Sequence, residues 1–138
     1  MTFTRKTRFI SIGITAVVVA GIALFLSLKP ADGIMQKKGN AYIVNTTKLT
    51  PDVRGYAGPV PIEVTISAGK ITSIKALPNH ETADFFQSAK NKITKQYVGL
   101  TVRQARALHP DAATGATYSS RALIQNINQA LNYYEAHK

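Results

Sequence analysis

Cysteine is missing altogether from the 138 residues, and that absence removes several classes of function at once. Without thiols there are no disulfides, no thiolate metal sites, no iron–sulfur ligation by this chain, no c-type haem attachment and no lipoprotein anchor. Any redox chemistry must therefore come from an organic cofactor. Histidine is scarce: His80, His109 and His137 are too scattered to suggest a metal site, and His109-Pro110-Asp111 reads as a turn. No Ser-His-Asp arrangement is evident, so a hydrolase would lack its nucleophile and base. Internal repeats and low-complexity tracts are also absent.

Acidic side chains are few, seven against seventeen bases, for a formal charge of +10. Arg5, Lys6, Arg8 and Lys29 flank one long apolar run, and setting those four aside leaves thirteen bases against seven acids. That balance is ordinary for a solvated surface. Lys90, Lys92, Lys95, Arg103 and Arg106 form a basic stretch without interleaved stacking aromatics, which does not support nucleic-acid binding. It reads as a solvated face, with docking of an acidic redox partner as its other use.

The apolar run is Phe9 to Leu28, twenty residues without a charge. At about 1.5 Å per residue such a helix crosses the roughly 30 Å hydrocarbon core once. A cleaved signal peptide has a shorter apolar region and ends at a small-x-small site, which is not evident between Ser27 and Asp32. The expectation is a cytoplasmic tail at residues 1–8 and an uncleaved transmembrane helix at 9–29. Bases before the span slightly outweigh those after it, which tips the N-terminus toward the cytoplasm. Residues 30–40, with Pro30, Gly33 and Gly39 among polar neighbours, read as a tether, and 41–138 as one domain.

Within that domain strands come first. Ala41 to Thr47 is rich in β-branched and aromatic residues, and Val60, Ile62, Val64 and Ile66 alternate with polar neighbours. A short turn at Ala68-Gly69 leads into Ile71 to Leu77, predicting a hairpin. A helix is expected from about Thr82 to Gln96, with Phe85, Phe86, Ala89 and Ile93 on one side, and another from Tyr118 to Ala136. The predicted fold class is α+β: a small antiparallel sheet covered by helices, preceded by one N-terminal transmembrane helix.

Asp111-Ala112-Ala113-Thr114-Gly115-Ala116-Thr117-Tyr118-Ser119-Ser120 stands where a polar loop feeds the last helix. Thr114, Thr117, Ser119 and Ser120 crowd hydroxyls at the helix start, where first-turn N–H groups lack partners and the macrodipole is positive. Two readings follow from the residues alone. One is an ordinary N-cap with a tight glycine turn. The other is a site for an anion, above all a phosphate.

Asp111-x-x-Thr114-Gly115-Ala116-Thr117 resembles the flavinylation motif of the FMN-binding domain family, Asp-x-x-(Ser/Thr)-Gly-Ala-Thr. That family is found in flavin subunits of Na+-pumping NADH:quinone reductases and of Rnf electron-transport complexes. Gly55-Tyr56-Ala57-Gly58-Pro59-Val60 is similar to the family's lead into its first long strand, and His80-Glu81-Thr82 to a segment that lies against the flavin. In the latter, Ala83 and Asp84 stand where proline and glycine are usual.

The resemblance implies FMN held covalently as a phosphoester on Thr117, installed by a FAD:protein FMN transferase that reads the sequence including Asp111. It implies a flavin domain outside the cytoplasm, hence a single-pass protein of the inner (cytoplasmic) membrane with membrane redox partners. Thr114, Gly115, Ala116, Ser119 and Ser120 would surround the attachment point, and Tyr56, Leu77, Glu81 and Thr82 would supply the ring's wall and polar contacts. No catalytic residue is expected, only an electron carrier. The alternative function is a membrane-tethered module that holds FMN reversibly, as a sensor or interaction domain.

Overall fold

The computed structural model describes residues 32–138. Four strands make one antiparallel sheet in the order β1-β2-β3-β4: β1 Met35–Lys38, β2 Ala41–Asn45, β3 Ile62–Ser67 and β4 Lys70–Ala76. Three helices follow: α1 Ala83–Tyr97, α2 Val102–Ala107 and α3 Thr117–His137. The α+β expectation and the antiparallel sheet stand. Among the described residues no helix is long and apolar enough to cross a membrane. The transmembrane helix expected at 9–29 lies outside the described residues.

Two elements differ from expectation. Residues 35–38, expected as tether, are strand β1, paired with β2 from Met35↔Val44 to Lys38↔Ala41. Only Met35 of the four is buried, so the segment carries almost no apolar pattern, and pairing with β2 makes it a strand. The other is α2, whose six residues are too few for helical periodicity to register. Its Thr101-x-x-Gln104 capping box holds it: Thr101 Oγ accepts from Gln104 N at 3.1 Å, and Gln104 Oε1 accepts from Thr101 N at 3.0 Å.

The β3–β4 hairpin turns on Ala68 and Gly69, both with positive φ, as the twist of a two-residue connection demands. Beyond it, Ile71 N donates to Leu100 O and Gly99 N to Ile71 O, so the chain leaving α1 covers part of the β4 edge. Val44, Ile62, Val64 and Ile66 fill one face of the sheet. Against them pack Phe86, Ala89, Ile93 and Tyr97 of α1 with Leu123, Ile127, Ala130, Leu131 and Tyr134 of α3. At roughly 25 cal/mol per Å² of apolar surface, this two-layer core is the main source of stability.

A buried polar chain fixes α3 to the loop between β2 and β3. Asn126, fully buried, donates to Val60 O at 2.7 Å and accepts from the Thr50 hydroxyl. Thr46 Oγ in turn accepts from Ile62 N at 2.9 Å. These bonds set the height of the 54–60 loop along α3, which matters for the site below.

Tyr97 is the one core hydroxyl without a partner among the described residues. Burial pushes its ionisation up to about 12 from the ordinary 10.0. Between those values the folded chain keeps a proton that the unfolded chain has lost. Stability is therefore full below pH 10 and falls as pH rises toward 12, by about 2–3 kcal/mol at roughly 1.4 kcal/mol per unit. Tyr97→Phe should abolish that alkaline slope and melt no lower than the parent at neutral pH. Urea midpoints at about pH 8 and about pH 11 check it; an unchanged slope in the variant would assign the alkaline loss elsewhere.

Candidate functional site

A cleft of about 250 Å³ opens where three distant segments meet: the 54–60 loop, the start of α1 and the start of α3. The 54–60 loop is a tight reversal closed by Gly55 N donating to Gly58 O at 2.8 Å and by the Arg54–Pro59 bridge, with Tyr56 at its tip. The second segment is ordered by Asn79, whose side chain donates to Leu77 O and accepts from Glu81 N at 3.0 Å. That Asx turn ends the strand and aims Glu81 across the cleft. Ala83 and Asp84 are the first residues of α1, with Asp84 as the first-turn acid the dipole favours.

Glu81 joins the three segments. Its carboxylate accepts from Tyr56 N at 2.8 Å, from Ala57 N at 2.6 Å and from Ser119 Oγ at 2.8 Å. Three donors satisfy one half-buried charge and tie both loops to the first turn of α3. The approach requires glycine at 55, because a Cβ there would overlap the carboxylate, standing 2.7 Å from Glu81 Cδ.

Gly115 adopts φ +78° and so turns the chain into α3 where a side chain would be strained. Ala116 occupies the N-cap, with no side-chain cap. Ser119 and Ser120, expected to crowd hydroxyls at the helix mouth, turn inward: Ser119 to Glu81, and Ser120 to accept from Ala113 N at 3.0 Å. Neither serine caps the helix, and among the described residues no side chain accepts from its first-turn N–H groups. Thr117, the first helical residue, is exposed and lines the cleft.

The walls are aromatic. Tyr56, Tyr118 and Phe85 are 80%, 62% and 56% exposed, far more than isolated packing would leave them. The Tyr56 and Tyr118 rings face each other with centroids 6.3 Å apart and planes at 51°. A planar aromatic ligand with a phosphate matches this donor set: rings for its faces, an uncapped helix start for its anion.

Of the residues singled out from sequence, Tyr56, Glu81, Thr82, Gly115, Ala116, Thr117 and Ser119 come together in the cleft. Leu77, Thr114, Ser120 and Asp111 lie outside its lining. Leu77 is half-buried and extends the sheet, its N–H donating to Pro61 O at 3.0 Å. Thr114 is exposed in the turn, and Ser120 is fully buried behind it. Asp111 is clamped by its backbone, with Gln96 donating to its carbonyl at 3.1 Å and accepting from its N–H at 3.0 Å.

Phe85 and Tyr118 enter the site without a sequence expectation behind them. Helical periodicity groups Phe85 with Phe86 on the core face, but adjacent residues on a helix point about 100° apart, so only one of the pair can face the sheet. Phe86 does, and Phe85 is left at the cleft. For Tyr118 the available signal is its place beside Thr117 at the helix start.

Comparison with known proteins bears on this geometry. The family model of the FMN-binding domain matches residues 55–132, a range that contains every residue lining the cleft. One component of the Na(+)-translocating ferredoxin:NAD(+) oxidoreductase complex from Acetobacterium woodii is 28% identical over 109 residues, covering 71% of this chain and 53% of its own length. The chain thus spans about half the length of this curated relative.

Proposed function

The chain belongs to the FMN-binding domain family, and on that premise we propose that it is a membrane-anchored flavoprotein carrying FMN through a phosphoester on Thr117 and passing electrons along a membrane redox chain. The observation that carries the proposal is the position of Thr117. Its exposed side chain stands on the uncapped first turn of a 21-residue helix, at the mouth of an aromatic-walled cleft. The helix N-terminus favours the phosphate. Tyr56, Tyr118 and Phe85 would flank the ring, and Glu81 ties the Tyr56 loop to the first turn of α3 that carries Tyr118.

FMN, when bound, supplies reversible electron transfer that the side chains lack. The protein's part is attachment, orientation and exclusion of water. Among the described residues no base is hydrogen-bonded to Thr117 to activate it, so a FAD:protein FMN transferase would make the bond. A covalent tether would suit a domain outside the cytoplasm, where released flavin is lost. The relative's role in a Na(+)-translocating ferredoxin:NAD(+) oxidoreductase complex supports a redox chain as the setting. Anchoring by residues 9–29 belongs to the same proposal.

Co-expression with the transferase, followed by acid precipitation and tryptic mass spectrometry, tests the linkage. The expected result is flavin that stays with the precipitate and an added mass of FMN less water on the peptide 107–121. Complete release of flavin into the supernatant would replace the carrier with the reversible FMN-binding module.

A further inference from the structure

Away from the flavin cleft, α2 and the C-terminal half of α3 enclose a second cleft of about 420 Å³, lined by Arg103, Arg106, Ala107, Asn128 and Asn132. The arginines are three apart on α2 and the asparagines four apart on α3, so each pair shares a helix face. Arg106 Nε donates to Asn132 Oδ1 at 3.1 Å, which fixes the guanidinium plane. Among the described residues the only salt bridge is Lys138–Glu135, and neither arginine has a carboxylate partner.

The surroundings carry charge of both signs, with Lys138 ion-paired to Glu135 at 2.9 Å. Lys138 is held above its usual range by the Glu135 hydrogen bond, and the positive charge of Arg106 reaches it and opposes that rise. Lys138 Nζ lies 5.5 Å over the Tyr134 ring, Tyr134 meets Tyr42 edge-on at 5.4 Å, and Lys37 Nζ lies 5.2 Å over Tyr42. Cations from both ends of the domain's sequence therefore gather around the end of α3.

The chain enters the domain at the same end. Asp32 accepts from the Tyr133 hydroxyl and from Ile34 N, which ties residue 32 to the C-terminal half of α3. Thr117 lies sixteen helical residues from Tyr133, roughly 24 Å away along α3. The basic cleft thus lies toward the same end of α3 as the chain's entry, and the flavin cleft lies at the other end.

We propose that the Arg103–Arg106 cleft takes the phosphate of an anionic phospholipid headgroup, seating this end of the domain on the bilayer and turning the Thr117 end outward. The inference rests on the anchoring proposed above. Paired guanidinium groups match phosphate oxygens in fork geometry, and basic residues beside a membrane span are drawn to anionic lipid. Position decides for lipid over an acidic protein, because the cleft lies toward the end of α3 where the chain enters the domain and the anchor would join.

The test uses the full chain in nanodiscs of phosphatidylcholine, alone or mixed with phosphatidylglycerol, with hydrogen exchange read by mass spectrometry. Exchange across 100–109 and 126–134 should slow several-fold with phosphatidylglycerol while residues 60–76 stay unchanged. Arg103→Gln with Arg106→Gln should remove the effect, as should high salt. Asn128→Asp, which adds a negative charge to the cleft lining and leaves both arginines in place, should weaken it. Equal exchange in both lipids, or protection that survives the double substitution, overturns the inference. So does equal protection by soluble glycerol phosphate in neutral discs, which would make this a free-phosphate site. Protection by soluble polyglutamate alone would make the occupant an acidic protein. Elution of the chain from neutral discs would sink the anchor and this inference together, whereas retention with lipid-independent exchange sinks the inference alone.

Discussion

Thr117→Ala, co-expressed with the transferase, should give a denaturing gel with no fluorescent band, where the parent chain gives a bright one. The effect is all or none because the substitution removes the only oxygen the proposed linkage uses. Stability should hardly move: Thr117 is exposed and caps nothing, so the melting free energy should stay within about 0.5 kcal/mol of the parent. That pairing of lost flavin with an intact fold separates a missing acceptor from a damaged domain. Thr72→Val is the companion control, since Thr72 stands on β4, outside both the cleft lining and the Asp111–Thr117 motif, and its loss should leave the band bright. A band that survives Thr117→Ala would move the attachment to another hydroxyl in the 107–121 peptide.

The second large effect centres on Glu81. Glu81→Ala leaves Tyr56 N, Ala57 N and Ser119 Oγ without their common acceptor. Hydrogen bonds to a charged group contribute roughly 1.5–3 kcal/mol each, but water can replace the two exposed ones, so a total loss of about 2–3 kcal/mol is expected. The functional loss should be greater. With the tie cut, Tyr56 is no longer held opposite Tyr118, and displacements of about 1 Å cost on the order of tenfold to a hundredfold in a positioned reaction. Flavin loading per hour should fall by that order.

Gly55→Ala provides an independent route to the same state, because the new Cβ would displace the Glu81 carboxylate. The double variant should then load flavin no worse than Glu81→Ala alone, the signature of two changes acting through one contact. Additive losses would show that Gly55 serves the cleft in some other way. Measuring initial loading rates with purified transferase, alongside urea melts, distinguishes these outcomes.

Much of the fold is legible in the sequence because its signals are periodic and local. The alternation through Val60, Ile62, Val64 and Ile66 identifies a strand with one buried face, and each of the four is fully buried. Ala68-Gly69 marks a hairpin turn, and Leu123, Ile127, Ala130 and Leu131 are fully buried along α3. Strand β1 is not legible, since three of its four residues are exposed and its cause is the partner strand. The Phe85-Phe86 pair is ambiguous because one dimension holds no information about which of two neighbours faces the sheet.

The site divides in the same way. Sequence alone determined a cysteine-free chain with an apolar run near its start, an α+β domain, and a Thr-Gly-Ala-Thr loop feeding a helix, all properties of contiguous residues. Only the tertiary structure decided that Glu81 binds residues 24, 25 and 38 positions away, that Ser119 faces it rather than capping the helix, and that Phe85 and Tyr118 wall the cleft. The physical reason is that the packing of α1 and α3 on the sheet, with Asn126 setting the loop's height, brings those groups within hydrogen-bond range. Hydrogen bonds act over about 3 Å, and no local pattern encodes which distant atoms come that close.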